Sequence, residues 1–167
     1  MKKLITVISV IILLFNGCDT NKEKALLDSA TAKAKAKNYS EAMKDYQKII
    51  DEYSSSDNAA ESYFAIAAMY HMYQIPNISK EESLKKAVQY YEKLYEQFPN
   101  NEKSPKALFM AAYLKGNELN QLDGARKSYQ TFLDKFPGDE LAPQVKIELE
   151  NLGKTPEEIL QARTAKK

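Results

Sequence analysis

AVQYYEKLYEQFP, residues 87–99, decides the fold of this chain, because its pattern occurs three times. The other copies are AMKDYQKIIDEYS, residues 42–54, and ARKSYQTFLDKFP, residues 125–137. Each copy has alanine first, tyrosine at +4, large apolar or aromatic residues at +7 and +8, and an aromatic residue at +11. An α-helix turns once in about 3.6 residues, so these offsets share one face of a helix.

The spacing of the copies indicates an array of helical hairpins. Their alanines lie 45 and 38 residues apart, a period typical of such arrays. We therefore predict an all-α chain with helices at about residues 23–37, 40–53, 59–73, 80–98, 105–117, 125–136, 141–152 and 156–163. The residues expected in the core of the repeats are Ala42, Tyr46, Ala87, Tyr91, Ala125 and Tyr129.

Capping residues set the expected ends of the later helices. Ser104 precedes a proline, which predicts an N-cap with proline in the first turn. Gly124 is expected just before the sixth helix, and Gly153 is expected as the C-cap of the seventh. Thr155 and Glu158 have the spacing of a capping box, which predicts the start of a last short helix.

The first residues of the chain are typical of a secretory signal. Lys2 and Lys3 precede an apolar run at residues 4–15, which is short for a membrane span of about 20 residues. The run ends at Asn16-Gly17-Cys18, and Cys18 is the sole cysteine, so it cannot form an intramolecular disulfide. By this pattern alone, cleavage occurs nearby and leaves Cys18 a free thiol.

Composition argues against several classes of function. The chain has 24 basic and 23 acidic residues, and this balance lacks the basic stripe that nucleic acid requires. One histidine and one cysteine cannot supply the three or four ligands of a zinc site. Five glycines and the lack of a nucleophile-elbow or phosphate-loop motif argue against an enzyme. We expect no catalysis, cofactor, metal, nucleic acid or small-molecule substrate.

The repeated alanine, tyrosine and proline resemble the signature of the tetratricopeptide repeat family over about residues 23–153. Pro99 and Pro137 match the proline that ends the second helix of each repeat, and Ser54 departs from it. The resemblance implies a right-handed α-solenoid of about three hairpins with C-terminal capping helices. It also implies that the first helix of each hairpin lines a concave surface that binds other proteins.

By this resemblance, the candidate groove residues are Glu61, Phe64, His71, Met72, Lys106, Phe109 and Tyr113. Phe64 and Phe109 fall off the alanine faces of their helices, so we expect exposed aromatic residues that receive a partner peptide. The alternative is that both phenylalanines pack against the next hairpin.

Residues 14–18 resemble the lipobox of bacterial lipoproteins, which implies acylation of Cys18. The implied organisation is a signal peptide at 1–17, a lipidated cysteine and tether at 18–24, a repeat domain at 25–163 and a frayed tail at 164–167. Residues 91–112 and 129–159 resemble both the lipoprotein of the outer-membrane β-barrel assembly machine and the periplasmic protein of the Tol-Pal constriction system.

These resemblances imply a non-enzymatic adaptor that is anchored by its lipid to the outer membrane and faces the periplasm. It would bind other envelope proteins or peptides during outer-membrane protein assembly. The alternative is a structural protein of the envelope, associated with cell division and the Tol-Pal system, that acts through self-association.

Overall fold

The computed structural model describes residues 16–165 of the chain. Most of the predicted signal peptide, residues 1–15, lies outside the described part, as do residues 166–167 of the predicted tail. The described part is all-α. Its elements are α1 (Asn16–Lys35), α2 (Tyr39–Glu52), α3 (Asp57–His71), α4 (Lys80–Gln97), α5 (Ser104–Tyr113), a π-turn (Leu114–Glu118), α6 (Leu122–Lys135), α7 (Ala142–Asn151) and α8 (Pro156–Ala165).

Consecutive helices pack as hairpins that stack on one another. The pairs α1–α2, α3–α4 and α5–α6 form the three hairpins, and α2, α4 and α6 also contact the first helix of the next unit. The first helices α1 and α3 touch directly, as expected where successive hairpins stack. The predicted α-solenoid of helical hairpins is therefore confirmed.

The repeated residues lie inside this stack. Alanines at the first position of the pattern are 0% exposed, and the tyrosines at +4 are at most 5% exposed. At +7, Ile49, Leu94 and Phe132 are 0% exposed. Full burial of such a side chain stabilises the fold by about 1.5–3 kcal/mol. The small alanines let neighbouring helices approach, while the larger residues fill the space between them.

The first helix begins earlier than the sequence predicts. α1 starts at Asn16 rather than near residue 23, so the residues expected to form a tether, 18–24, are helical. Cys18 lies in the first turn of α1, and its side chain lies outside the described part of the chain. At the other end, Thr164 lies in α8 although it was predicted to belong to a frayed tail.

The predicted boundaries around α5 and α6 were wrong by several residues. Ser104 is the first residue of α5 and not its N-cap. Its buried hydroxyl donates a hydrogen bond to the carbonyl oxygen of Phe98, and this bond joins α5 to the end of α4. α5 ends at Tyr113 rather than near 117, since the chain widens there into the π-turn. α6 begins at Leu122, so Gly124 lies within its first turn.

Residues of the π-turn make long-range contacts with three helices. Lys115 reaches from it to the carboxylate of Glu92 on α4 and lies 3.3 Å from the hydroxyl of Ser128 on α6. Gly116 fits against α6 and the end of α7, where an added Cβ would lie 2.7 Å from Leu152 Cδ1. These contacts hold the second and third hairpins together at the carboxyl end of α5.

Candidate protein-binding surface

The amino-terminal ends of α3 and α5 are joined by polar side chains. Asp57 accepts a hydrogen bond from the side-chain amide of Asn101 at 2.9 Å, and Glu61 pairs with Lys103 at 2.8 Å. Ser56 is the N-cap of α3, and its hydroxyl accepts a hydrogen bond from the amide of Ala59 at 3.0 Å. This cap sets the start of α3 and thereby places Asp57 and Glu61 near the start of α5. The first helices of neighbouring hairpins thus meet at a polar junction.

A pocket of about 610 Å³ opens at this junction, and we call it the junction pocket. Its lining comes from three successive hairpins: Leu27 and Thr31 on α1, Asp57, Asn58 and Glu61 on α3, and Asn100, Asn101, Glu102 and Lys103 before α5. Three carboxylates face one ammonium group there, so the pocket is acidic. Its asparagine amides both donate and accept hydrogen bonds.

Phe64 lies beside the junction pocket, one helical turn beyond Glu61. Its ring packs against Tyr91 of α4, with centroids 5.4 Å apart and planes at 67°. The ammonium groups of Lys103 and Lys106 each lie 5.6 Å from the centre of the Phe64 ring. Each such contact is worth about 0.5–1 kcal/mol at an exposed site. Phe64 therefore links the core of its hairpin to a cationic strip that consists of Lys103, just before α5, and Lys106 within α5.

Phe109 has an equivalent position in the third hairpin. Its ring lies 6.3 Å from that of Tyr129 on α6 and 6.3 Å from that of Tyr113 on α5. Phe64 and Phe109 are both half-buried, so the expectation of two exposed aromatic residues was wrong. Each packs against the repeat tyrosine of its own hairpin. Phe64 also contacts Lys103 and Lys106 at the start of the next hairpin, as the alternative expected. The sequence pattern predicts that the tyrosine at +4 is buried, but it does not predict which residue packs against its ring.

His71 and Met72 lie at the other end of α3 from the junction pocket. α3 has 15 residues, which corresponds to a length of about 22 Å. Met72 is 64% exposed, whereas His71 is half-buried. Burial lowers the pKa of the His71 imidazole, while the negative charge of Glu118 raises it. Of the predicted groove residues, the structure brings Glu61, Phe64 and Lys106 together.

The residues that line the junction pocket were mostly missed from the sequence. Asp57 and Asn58 begin α3, and Asn100 and Asn101 lie in the connection before α5. One pair opens the first helix of a hairpin and the other lies shortly before such a helix, and this shared location near a helix start is the signal that identifies them. The prediction considered helix faces and overlooked the connections between hairpins.

The repeat tyrosines have different hydrogen bonds at their buried hydroxyl groups. The Tyr46 hydroxyl lies 3.4 Å from that of Thr31, whereas the buried Tyr129 hydroxyl has no hydrogen-bond partner among the described residues. Burial raises the pKa of Tyr91 to about 12 and raises that of Tyr129 as well. A phenolate is costly at either site because it would lose its hydration.

Residues 16–165 hold neither a cluster of metal ligands nor a membrane-spanning helix. No group of three or more histidine, cysteine, aspartate or glutamate side chains there is arranged to hold a metal ion. No helix there is long and apolar enough to cross a membrane.

Comparison with known proteins identifies the type of repeat. Residues 24–56 and 106–139 match the tetratricopeptide repeat family. These segments correspond to the α1–α2 and α5–α6 hairpins, while α3–α4 carries a longer connection at residues 72–79. No curated protein matches the chain. Tetratricopeptide repeats generally bind proteins and are generally not enzymes. Two segments of the chain are therefore similar to tetratricopeptide repeats, and they lie within an α-solenoid of helical hairpins.

Proposed function

We propose that this protein is a membrane-anchored adaptor of the bacterial envelope that holds an extended segment of a partner protein in the junction pocket. The observation that carries the proposal is the convergence of three hairpins on one acidic pocket rich in amide side chains. The volume of about 610 Å³ falls within the range of about 300–1,000 Å³ typical of ligand sites.

The lining of the pocket favours a peptide with a basic side chain. The side-chain amides of Asn58 and Asn100 suit the alternating donors and acceptors of an extended backbone, while Asn101 already bonds to Asp57 and to the amide of Lys103. Asp57 and Glu102 add negative charge that is not balanced by Lys103, which already pairs with Glu61. A lysine or arginine of the partner would find carboxylates here, and an acidic residue would find Lys106 on the adjoining strip.

A covalent photo-crosslinker tests this binding site. When a photo-crosslinking amino acid replaces Asn58 in cells, we expect it to form a covalent adduct with one discrete partner protein. The matched control is Gln130, an exposed residue on the second helix of the third hairpin, where we expect no such adduct. Equal capture at both positions, or none at position 58, would contradict the proposal.

The anchor is the second element of the proposal. Support comes from the lipobox-like end of the apolar run and from α1, whose helix includes Cys18 and would join an acylated residue directly to the solenoid. Acylation would hold the protein at the outer membrane, facing the periplasm, where outer-membrane proteins are assembled. A Cys18→Ser variant should leave the membrane fraction; continued sedimentation with the envelope would rule out the lipid anchor.

The second candidate function is a structural role in the envelope, linked to cell division and the Tol-Pal system, through self-association. The exposed aliphatic side chains of Ile147 and Leu160 near the carboxyl end favour it, being 46% and 64% exposed. Sedimentation equilibrium distinguishes the two functions. The adaptor is expected to remain a monomer over a wide range of concentration, and the structural protein to form oligomers.

A further inference from the structure

We infer that the junction pocket selects an extended segment in which an aliphatic residue lies directly next to a lysine or arginine. This inference rests on the proposed function, since it concerns the same pocket, and it adds which two neighbouring side chains the pocket recognises. The observation behind it is a difference in chemistry between two sides of the pocket. One side carries Leu27 and Thr31 of α1, and the other carries Glu102 in the connection before α5.

The first turns of α3 form the floor between these two sides. α1 contacts α3 directly. The connection before α5 is bonded to the same helix, because Asn101 donates to Asp57 and Lys103 pairs with Glu61. The first helices of successive hairpins lie side by side in a solenoid, so α1 and the connection lie on opposite sides of α3. A segment bound over the floor would therefore lie between an α1 side and a connection side.

The α1 side suits an aliphatic side chain. Leu27 is half-buried, packs against the larger apolar cluster and is the one apolar residue in the described lining of the pocket. Thr31 lies one helical turn further along α1, and its hydroxyl lies 3.4 Å from that of Tyr46 within the same hairpin. An aliphatic side chain placed against Leu27 would remove apolar surface of both residues from water, which favours binding.

The connection side suits a basic side chain. Glu102 is exposed and forms no ion pair with another described residue, whereas Glu61 already pairs with Lys103 at 2.8 Å. Asp57 already accepts a hydrogen bond from Asn101 at 2.9 Å. Glu102 is therefore the carboxylate of the described lining whose charge is left for a partner. A lysine or arginine would form a charge-assisted hydrogen bond with it.

The geometry of an extended chain sets the spacing of the two side chains. Successive side chains of an extended segment point in opposite directions, and its N–H and C=O groups lie across that direction. When these peptide groups face Asn58 on the floor, one side chain is directed toward Leu27 and the next toward Glu102. Two residues separated by one position point the same way, so they cannot reach both sides at once.

Labelled synthetic peptides test this spacing on the purified full chain. In a host of glycine and serine, two peptides carry leucine and arginine as neighbours, one in each order. A third has one glycine between the two residues, and a fourth has serine in place of leucine. Fluorescence anisotropy should show that the better of the two adjacent peptides binds roughly tenfold more tightly than the third and the fourth. Equal affinities for adjacent and separated peptides, or no binding by any of them, would overturn the inference.

Variants of the two sides test whether both contacts occur. Leu27→Ala should remove the preference for the adjacent peptide over the serine peptide. Glu102→Gln, an exposed change that should leave the fold intact, should weaken both of these peptides roughly fivefold, because both carry arginine. Glu96→Gln, an exposed change on α4, is the control and should alter neither affinity. A preference that persists in Leu27→Ala, or unchanged affinities in Glu102→Gln, would contradict the selected pair.

The photo-crosslinker at Asn58 separates this inference from the proposed function. An adduct there, together with equal affinities for all four peptides, would contradict the selected pair of side chains while the adaptor function stands. The lack of both an adduct and peptide binding would contradict the two together.

Discussion

The ring of Phe64 packs edge-on against the ring of Tyr91, with centroids 5.4 Å apart. Tyr91 is 2% exposed and occupies the repeated +4 position, so Phe64 is held by the core of its own hairpin. The ammonium groups of Lys103 and Lys106 each lie 5.6 Å from the centre of the Phe64 ring. Phe64 therefore contacts both the repeat tyrosine of its own hairpin and the two lysines at the start of the next hairpin, with its ring half-buried.

This arrangement predicts that Phe64→Ala destabilises the protein. Loss of a half-buried ring and its contact with Tyr91 should lower the free energy of unfolding by about 2 kcal/mol, less than for a fully buried phenylalanine. Urea denaturation followed by circular dichroism measures the change. Met72→Ala is the matched control, since Met72 is 64% exposed and should change stability by less than about 0.5 kcal/mol. Equal effects would show that Phe64 is not part of the core.

Tyr129→Phe should stabilise the protein. The Tyr129 hydroxyl is buried without a hydrogen-bond partner, and such a group costs about 1–3 kcal/mol. We expect a gain of about 1 kcal/mol in the free energy of unfolding, measured by chemical denaturation. Tyr46→Phe, at the equivalent position of the first hairpin, should give no gain because the Tyr46 hydroxyl contacts that of Thr31. A loss of stability in Tyr129→Phe would mean that its hydroxyl has a partner in solution.

The buried tyrosines predict unfolding at alkaline pH. Burial raises the pKa of Tyr91 from 10.0 to about 12, so the unfolded chain releases this proton first as the pH rises. The stability due to the neutral phenol is present below pH 10 and falls between pH 10 and about 12. The loss from Tyr91 should reach roughly 2–3 kcal/mol. Denaturation across this range should show a shallower decline for Tyr91→Phe; an identical decline would contradict the assignment.

Gly116→Ala should destabilise the junction between the π-turn and α7. The new Cβ would lie 2.7 Å from Leu152 Cδ1 and 3.2 Å from Ala125 Cβ. We expect a loss of about 1–2 kcal/mol on thermal or chemical denaturation. Gly138→Ala is the control, because its added Cβ would meet no atom within 4 Å. Leu152→Ala should relieve part of the effect in the double variant; purely additive losses would mean that Leu152 is not the obstacle.

The sequence predicted the hairpins well because their cause is local. Alanine and tyrosine four residues apart, as in Ala87 and Tyr91, must share a helix face, and a face repeated three times must be buried. The π-turn has a different cause. Lys115 meets Glu92 and Ser128, which lie 23 and 13 residues away in the chain, and no local pattern specifies such contacts.

The candidate site was predicted less completely for a related reason. The repeat positions along the first helices predict Glu61 and Lys106 as groove residues. Glu61 lines the junction pocket, and Lys106 lies beside it. Asn101 was missed because it lies in a connection, and its role becomes visible only when Asp57 accepts its hydrogen bond across hairpins. The periodicity of α3 likewise does not predict the contact of Phe64 with Tyr91, because Tyr91 belongs to another helix.

The most direct test of the binding site is the yield of adduct from the photo-crosslinker at Asn58 in a Glu61→Gln variant. Glu61 is 41% exposed at its side chain and pairs with Lys103, a surface contact worth about 0–1 kcal/mol, so the fold should persist. Loss of its charge should cost the partner about 1 kcal/mol and reduce the yield roughly fivefold at limiting partner concentration. Glu96→Gln, an exposed change on α4, should leave the yield unchanged. An undiminished yield in Glu61→Gln, or equal losses in both variants, would contradict the junction pocket as the site where this protein holds its partner.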